Sequence, residues 1–308
     1  MTIYGVTSSG KEYKLNNLLT MNINIEEKVP ADDLTVTFAS QFDDEFIFIK
    51  VLIDDKLFFL GVVDEQVVVY LEKYIYTKFL VRSMAALLLD NEALPQVYIN
   101  PDETTIFNRH IKCLGIEKFC TNNKLNAGVV EISKGQSQWN VLYNFCRACL
   151  NSYPEVATYG EVLMNGYKSD KTLKLGNKNN IPINYVHICK KQHKLISEVF
   201  VKNNYNDDYT YKLKNNIAID KGVIRQRYLN ATDTTSYSVN TAIKMIEKSN
   251  ADIFNIVVKS PTFLADTIGR NVILDINGDI YKDMYVSKIT YNYNQGKEST
   301  ILVLKYKS

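Results

Sequence analysis

The sequence has no apolar run long enough to cross a membrane as a helix. Its most apolar windows, 46–53 and 57–63, are far shorter than the roughly 20 residues that a bilayer-spanning helix needs. The first residues also lack a basic segment followed by an apolar run and a small-residue cleavage site. We therefore expect neither membrane insertion by this chain nor export through a signal peptide.

Cysteine is scarce and odd in number. Five cysteines stand at positions 113, 120, 146, 149 and 189 of the 308 residues. An odd set in a chain of this size indicates reduced thiols in a cytosol rather than a disulfide framework. Cys146 and Cys149 form a Cys-x-x-Cys pair inside a helical pattern with no second pair, which favours core packing over a redox or zinc site.

An excess of either charge is absent as well. Lys and Arg total 36 against 34 Asp and Glu, a net charge of +2, which argues against a polybasic nucleic-acid binder. Hydrophobic residues make up 46% of the chain and supply core for two or three compact units. Tyrosine is frequent, with 21 residues beside 13 Phe and one Trp, and such rings suit half-buried sheets and protein interfaces.

Motifs for catalysis or metal binding are missing. Gly135-Gln136-Ser137-Gln138-Trp139 has Trp where a nucleophile elbow needs its second Gly, and no Walker loop or dinucleotide fingerprint occurs. His187, Cys189 and His193 could supply three zinc ligands without an evident fourth. His110 is interpreted as an ordinary residue at the boundary of a helix face. We predict no catalytic residue, no cofactor and no metal.

Paired carboxylates, which a glycosidase could use, occur four times. All four pairs fall where the sequence predicts turns, the commonest position for Asp, so a structural role is favoured. The pairs are Asp32-Asp33, Asp43-Asp44, Asp54-Asp55 and Asp207-Asp208.

The first third alternates as β-strands do. Strands are predicted over 34–38, 46–53 and 57–63, with a tight hairpin turn at Asp54-Asp55-Lys56. From Glu65 to Arg82 there is neither Gly nor Pro, and apolar and polar residues alternate. The pattern predicts one long amphipathic strand, or two fused by a bulge, reaching about 60 Å if straight, so we expect it to bend across a barrel or overhang its domain.

The rest of the chain predicts a helical segment followed by more strands. Helices are expected over 84–89, from an Asn100-Pro101 start to Gly115, and from a Ser137 cap to Leu150. A further helix is marked by apolar residues between 239 and 246. Strands are expected over 183–189, 195–201, 209–213, 253–258, 272–276, 285–293 and 301–306, with hairpin turns at Asn277-Gly278 and 294–297.

Several segments carry a resemblance to a known family. They are Gly61-Val62-Val63-Asp64-Glu65-Gln66, the run from Arg82 to Pro95, 106–111 with Gly115, Gly135 to Leu142, and the 286–304 hairpin. In these segments the chain resembles baseplate hub proteins of contractile phage tails and phage-tail-like bacteriocins, the late control protein D-like hub family. The likeness is dense between 61 and 95 and thin from 169 to 230. Its motif residues are Asp64, Glu65, Gln66, Arg82, Asp90, Asn91, Glu92, Pro95 and Trp139.

The resemblance implies a mixed α+β, β-rich fold with two tube-like antiparallel β-barrel domains. The expected domains are residues 1–95, a helix-containing connector over 96–172, and residues 173–308 with a helical insertion near 236–249. The implied function is a structural, non-enzymatic hub. It would form a homotrimeric, pseudo-sixfold ring that joins the hexameric tail tube to the trimeric central spike, beside baseplate wedge proteins. No nucleic-acid specificity is expected. We expect assembly in the bacterial cytoplasm and then residence in a virion or tail-like particle.

Two other functions stay open. One is a tail-associated peptidoglycan hydrolase using Asp and Glu residues of the second half. The other is a receptor-binding or spike protein, which predicts short strand repeats that the sequence does not show.

The two registers of the long strand receive different expected roles. The apolar register is predicted to face the barrel core: Val67, Val69, Leu71, Ile75, Phe79 and Val81. The polar register is predicted to face a neighbouring subunit or a central lumen: Gln66, Tyr70, Glu72, Tyr74, Tyr76 and Lys78.

Overall fold

The computed structural model describes residues 1–122, 124–167, 169–176, 180–202, 208–230 and 235–307, with backbone only for 235–238. Asp207, part of the fourth acidic pair, lies outside these ranges. The chain divides into two compact units. Unit 1 comprises 1–172, 260–270 and 287–302, and unit 2 comprises 173–259, 271–286 and 303–308. No helix in the described ranges combines the length and the hydropathy that crossing a bilayer requires.

Strands dominate both units. In chain order they begin with β1 Thr2–Thr7, β2 Glu12–Leu15, β3 Leu18–Glu26, β4 Asp33–Phe38, β5 Phe46–Ile53, β6 Lys56–Tyr70, β7 Ile75–Ser83, β8 Gln96–Ile99, β9 Lys118–Cys120, β10 Val129–Ile132, β11 Glu155–Val156, β12 Glu161–Leu163 and β13 Ser169–Leu175. The later strands are β14 Tyr185–Lys190, β15 Glu198–Val201, β16 Tyr211–Lys214, β17 Gln226–Leu229, β18 Phe254–Ser260, β19 Arg270–Ile276, β20 Asp279–Asn294 and β21 Lys297–Tyr306. The helices are α1 Ala85–Asp90, α2 Glu103–His110, α3 Gln138–Cys149, α4 Asn216–Asp220 and α5 Thr235–Ala251.

The main sheet of unit 1 is antiparallel. From β21 and β20 its order runs β3, β4, β7, β6, β5, β1 and β2. No pairing between described residues joins β2 to β21, so the sheet is open in this structure. The β-rich, largely antiparallel class expected from the sequence is confirmed, and the two tube-like barrels stay a prediction.

The core of this sheet follows from strict alternation. Met21, Ile23 and Ile25 of β3 are buried, as are Leu34 and Val36 of β4. Four phenylalanines extend this core with ring centroids 5.6 to 6.1 Å apart: Phe38, Phe42, Phe46 and Phe79.

The hairpin turns sit where the sequence predicts them. Asp54 and Asp55 connect β5 to β6 with φ of 49° and 60°, the left-handed conformation that a two-residue hairpin turn needs and that Asp tolerates. Asn277 and Gly278 connect β19 to β20 in the same way, with φ of 54° and 103°. Both turn predictions are confirmed.

The three helices of unit 1 pack around one apolar cluster with β8 and β10. The Ser137 side chain accepts a hydrogen bond from Asn140 N at 3.3 Å, which confirms the predicted cap of α3. The predicted Asn100 cap of α2 is wrong, because Asp102 caps it by accepting from Thr105 N at 2.6 Å. Gly115, at φ 84°, ends the turn after α2 as predicted.

Unit 2 has its own small core. β15 lies between antiparallel β16 and parallel β17, and β14 pairs with β18. Ile196, Val199 and Val201 pack with Ala242 of α5, the helix whose period the sequence shows between 239 and 246.

Candidate functional site

The segment from Glu65 to Arg82 is a hairpin. β6 and β7 pair antiparallel from Gly61↔Ser83 out to Tyr70↔Ile75, and the chain reverses at Glu72-Lys73 between the paired residues Leu71 and Tyr74. The prediction of one long strand is therefore wrong. The sequence contains no signal for this turn, because neither Glu72 nor Lys73 is Gly, Asn or Pro. In the structure neither of the two residues has a positive φ.

A bulge at Asp64 decides which side chains share a face. Before the bulge Val63 of β6 pairs with Val81 of β7, so odd-numbered residues of the two strands share a face. After it, toward the tip of the hairpin, Val67 pairs with Lys78, so odd-numbered residues of β6 share a face with even-numbered residues of β7. The extra residue thus moves the outer part of β6 to the opposite face from the odd residues of β7. The predicted division into an apolar and a polar register does not survive this shift.

Burial follows the shifted pairing. Phe79 and Val81 are buried as predicted. Val67 and Leu71 lie on the shifted face and are exposed, and Val69 between them is only half-buried. Ile75 keeps the face of Phe79 but lies beyond the last pair of β4 with β7, and it is exposed as well. The assignment of Val67, Leu71 and Ile75 to the core is therefore wrong.

The outer part of this hairpin is here called the arm, residues 67–78. Beyond Phe38↔Thr77 and Phe48↔Val62, neither β4 nor β5 pairs with it among the described residues. One side of the arm, here called the arm face, combines residues that the sequence assigned to opposite registers. The arm face comprises Val67, Val69, Leu71, Tyr74, Tyr76 and Lys78.

Large apolar surface is exposed on the arm face. Leu71 is 55% exposed and Tyr74 71% exposed. A two-stranded ribbon is marginal alone in water, and exposed apolar groups of this size are typical of contact surfaces. The arm is therefore a candidate contact surface.

The remaining residues of the predicted polar register lie elsewhere. Tyr70 lies on the side opposite the arm face, and Glu72 is in the turn. Gln66 makes hydrogen bonds within unit 1. Its side chain accepts from Phe46 N at 3.2 Å and donates to Asp44 O at 3.0 Å. This amide fastens residues 44–46 to the base of the arm.

Three motif residues form an ion cluster at that base. Arg82 Nε and Nη2 donate to Asp64 Oδ2 and Oδ1 at 2.6 and 2.9 Å, and Nη1 and Nη2 donate to Asp90 Oδ1 and Oδ2 at 3.2 and 2.7 Å. These bonds raise the pKa of Arg82 and lower that of Asp90. The cluster joins β6, β7 and α1, and the bulge supplies its Asp64.

The next motif residues connect α1 to α3. Asn91 Nδ2 donates to Leu87 O at 2.8 Å, and Asn91 O accepts from Gln138 N at 2.9 Å. Glu92 Oε1 accepts from Gly135 N at 2.7 Å. Trp139, the next residue of α3, is buried in the helical cluster, while Glu65 and Pro95 are exposed. Most of the motif residues thus fix the local frame that holds the arm.

His110 takes part in the same frame. Its Nδ1 donates to Gln138 Oε1 at 2.7 Å, so its Nε2 accepts from Tyr98 OH at 2.9 Å. Burial lowers the His110 pKa, and the ring is neutral at pH 7. The expected boundary position is wrong, because the side chain is fully buried.

A pair of buried carboxyls in unit 1 was not predicted. Asp32, assigned to a turn, is buried before β4, and its Oδ1 accepts from Glu26 N at 3.4 Å. Glu155 Oε1 accepts from Lys28 N at 2.5 Å. Burial raises the pKa of Asp32 and raises that of Glu155 to about 8, with a smaller contribution to the latter from the nearby Asp32 charge.

Metal-ligating side chains do not converge in the described ranges. His187, Cys189 and His193 form no ligand cluster there. Cys146 and Cys149 are both buried on α3, which confirms core packing, and burial raises the pKa of both thiols.

A cavity of about 580 Å³ lies in unit 1. Tyr159, Tyr167 and Tyr291 line it together with Arg270 and Asp266. Asp266 is the sole carboxylate in the described lining, whereas glycoside hydrolysis uses two.

Comparison of sequences gives no match. No family model matches the chain, and no curated protein does.

Comparison of structures does give matches, and three are informative. A tail protein from Neisseria meningitidis MC58 superposes with a TM-score of 0.75 at 16% identity, covering 99% of this chain and 96% of that one. The 43 kDa tail protein of prophage MuSo2 from Shewanella oneidensis gives 0.77 at 14% identity, with 99% and 97% covered. The E. coli c3393 protein, a type VI secretion component with structural similarity to T4 tail proteins gp27 and gp5, gives 0.53 at 10% identity, with 95% and 74% covered.

Identities this low establish the fold alone. The chain has the fold of phage tail proteins along nearly its whole length, and at that level the resemblance seen in the sequence is confirmed.

Proposed function

We propose that this protein is a structural component of a phage tail or tail-like particle and serves as its baseplate hub. The likeness in fold to two tail proteins over 99% of the chain carries the proposal. The arm supports it, because a ribbon with exposed Leu71 and Tyr74 is a device for contact with another protein rather than for catalysis.

In this proposal the chain forms a homotrimer with two barrel-like parts per copy, a pseudo-sixfold ring. The ring joins a hexameric tail tube on one side to a trimeric central spike on the other, with wedge proteins around it. The domain division at 95 and 172 belongs to the same proposal. The chain itself performs no catalysis, assembles in the bacterial cytoplasm and ends in the particle.

The arm is the proposed subunit contact. Tyr74, Tyr76 and Lys78 of the predicted interface register lie on the arm face, and Val67 and Leu71 join them there. That Gln66, Tyr70 and Glu72 also face a neighbour or the lumen stays a prediction.

Particle assembly tests this proposal. The genes of the parent particle are expressed with wild-type hub, with Tyr74→Asp or with Tyr76→Asp, and intact particles are counted by negative-stain electron microscopy. We expect both variants to be soluble and folded and to reduce the particle yield at least about tenfold, because a carboxylate in a buried apolar contact is costly. Wild-type yield from both variants would contradict a subunit role for the arm.

A further inference from the structure

The small ribbon formed by β8 and β10 has apolar side chains on both of its faces. Its inner face places Tyr98, Val130 and Ile132 in the helical core of unit 1. Its outer face consists of Val97 and Ile99 opposite Glu131 and Val129. Val97 is 60% exposed and Ile99 75% exposed.

A ribbon that covers a core on one side normally turns polar residues to water on the other. An antiparallel sheet with one solvated face alternates apolar and polar residues, whereas β8 carries Val97, Tyr98 and Ile99 in succession and so presents apolar residues on both faces. This surface is therefore expected to have an occupant.

The arm face has similar chemistry and sufficient length to cover the outer face. Both surfaces are two-stranded and antiparallel; β8 and β10 have four paired residues per strand, about 13 Å, and the arm has five, about 17 Å. On the outer face, three apolar residues surround one acidic residue, Glu131. On the arm face, Lys78 is the one basic residue; it lies opposite Val67 at the base, and the other residues toward the tip are aliphatic or Tyr. Packing one on the other covers apolar groups and brings opposite charges together.

We infer that the outer face of the β8–β10 ribbon is the docking site for the arm of a second copy of this chain. The inference rests on the proposed subunit role of the arm and names the surface that receives it. The arm face and the outer face are different surfaces of one chain, so the contact between two copies is head to tail. When the rotation from each copy to the next adds up to a full turn, head-to-tail contacts form a closed ring. Lys78 is set against Glu131, Val69 and Tyr76 lie over Ile99 and Val129, and Leu71 and Tyr74 extend the contact beyond them.

Two variants, each with one half of the contact disabled, test the inference. Tyr74→Asp disables the arm and leaves the outer face intact, and Ile99→Lys does the reverse. Both positions are strongly exposed, so both variants are expected to keep the circular dichroism and urea midpoint of the wild type. Ile224→Lys is the matched control, since Ile224 is 92% exposed in unit 2.

The readout is solution mass by light scattering, in multiples of the 35.3 kDa of one chain. We expect wild type and Ile224→Lys to have the mass of three chains, and each half-variant alone to have the mass of one chain. An equimolar mixture of the two half-variants should give the mass of two chains, because one intact arm meets one intact outer face.

The possible failures separate the inference from the proposed function. A trimer of Ile99→Lys beside a monomer of Tyr74→Asp would show that the arm binds elsewhere, overturning the inference and leaving the ring. A mixture that stays at the mass of one chain, 35.3 kDa, would also overturn it. A wild-type monomer would remove the ring itself.

Exchanging the two charges of the proposed contact provides a rescue experiment. Glu131→Lys is expected to raise the concentration for half-assembly about tenfold by setting two cations together. Adding Lys78→Glu should restore the wild-type value. Failure of the double variant to recover would contradict the pairing of Lys78 with Glu131.

Discussion

Glu155→Gln is expected to reduce the fall in the free energy of unfolding that the two buried carboxyls of unit 1, Asp32 and Glu155, predict as pH rises from acid to mildly alkaline values. Glu155 is buried, and its pKa rises from the ordinary 4.5 to about 8. Between those two values the folded protein holds a proton that the unfolded chain has released, so the free energy of unfolding falls as pH rises. The stabilisation is complete below about pH 4.5 and is lost as pH rises through about 8.

The size of the effect follows from the shift. A rise of this size corresponds to a loss of roughly 4 to 5 kcal/mol across the window. Gln keeps an oxygen for Lys28 N and carries no charge, so Glu155→Gln should match wild type at pH 4.5 and exceed it by about 2 to 4 kcal/mol at pH 8.5.

Urea unfolding followed by the fluorescence of Trp139, the single tryptophan, reads unit 1 directly. Glu117→Gln, at an exposed position of the same unit, is the matched control and should keep the wild-type slope. Equal pH slopes for wild type and Glu155→Gln would refute the reasoning.

Other predictions use the same unfolding assay or simple chemistry. Phe79→Ala should cost about 3 to 5 kcal/mol by opening a cavity in the aromatic core, whereas Val69→Asp should fold and cost about 1 kcal/mol; unfolding of Val69→Asp would contradict the shifted pairing. Arg82→Lys should cost about 1 to 2 kcal/mol because an ammonium cannot make both forked contacts, and a neutral result would make the cluster incidental. Cys146 and Cys149 should react with a thiol reagent only after unfolding, and rapid labelling in the native state would contradict their burial.

Local chemistry made part of the fold predictable. The Asp54-Asp55 and Asn277-Gly278 turns announce their hairpins through residues that accept a positive φ, and Ser137 announces α3 through its cap. Each of these turns and the cap depends on residues adjacent in sequence, so they can be predicted without knowing which segments pack together.

The arm could not be derived in this way. Its reversal at Glu72-Lys73 contains no turn-favouring residue, and the bulge at Asp64 is set by pairing with β7 and by the Arg82 cluster. The extra residue interchanges the two faces of the outer part of β6 relative to β7, so a correctly seen alternation placed Val67 and Leu71 in the core. The burial of Asp32 and Glu155 was also not predictable from neighbouring residues. Glu155 accepts from the backbone N–H of Lys28, which is distant in sequence, and Asp32 accepts from that of Glu26, which the loop between β3 and β4 brings close.

The family motif drew attention to the residues of the candidate site, but the alternation of apolar and polar residues predicted their positions wrongly. Asp64, Arg82 and Asp90 are scattered in sequence and form one cluster, which their spacing alone does not show. The outer face of β8 and β10 was missed, since Val97 and Ile99 have the pattern of an ordinary buried strand.

The solution mass of the wild-type protein, alone and co-expressed with its spike partner, tests the central claim most directly. The hub proposal predicts three times the 35.3 kDa of one chain, with the spike adding its own mass. A mass of 35.3 kDa under both conditions would contradict the ring and leave the arm without the partner proposed for it.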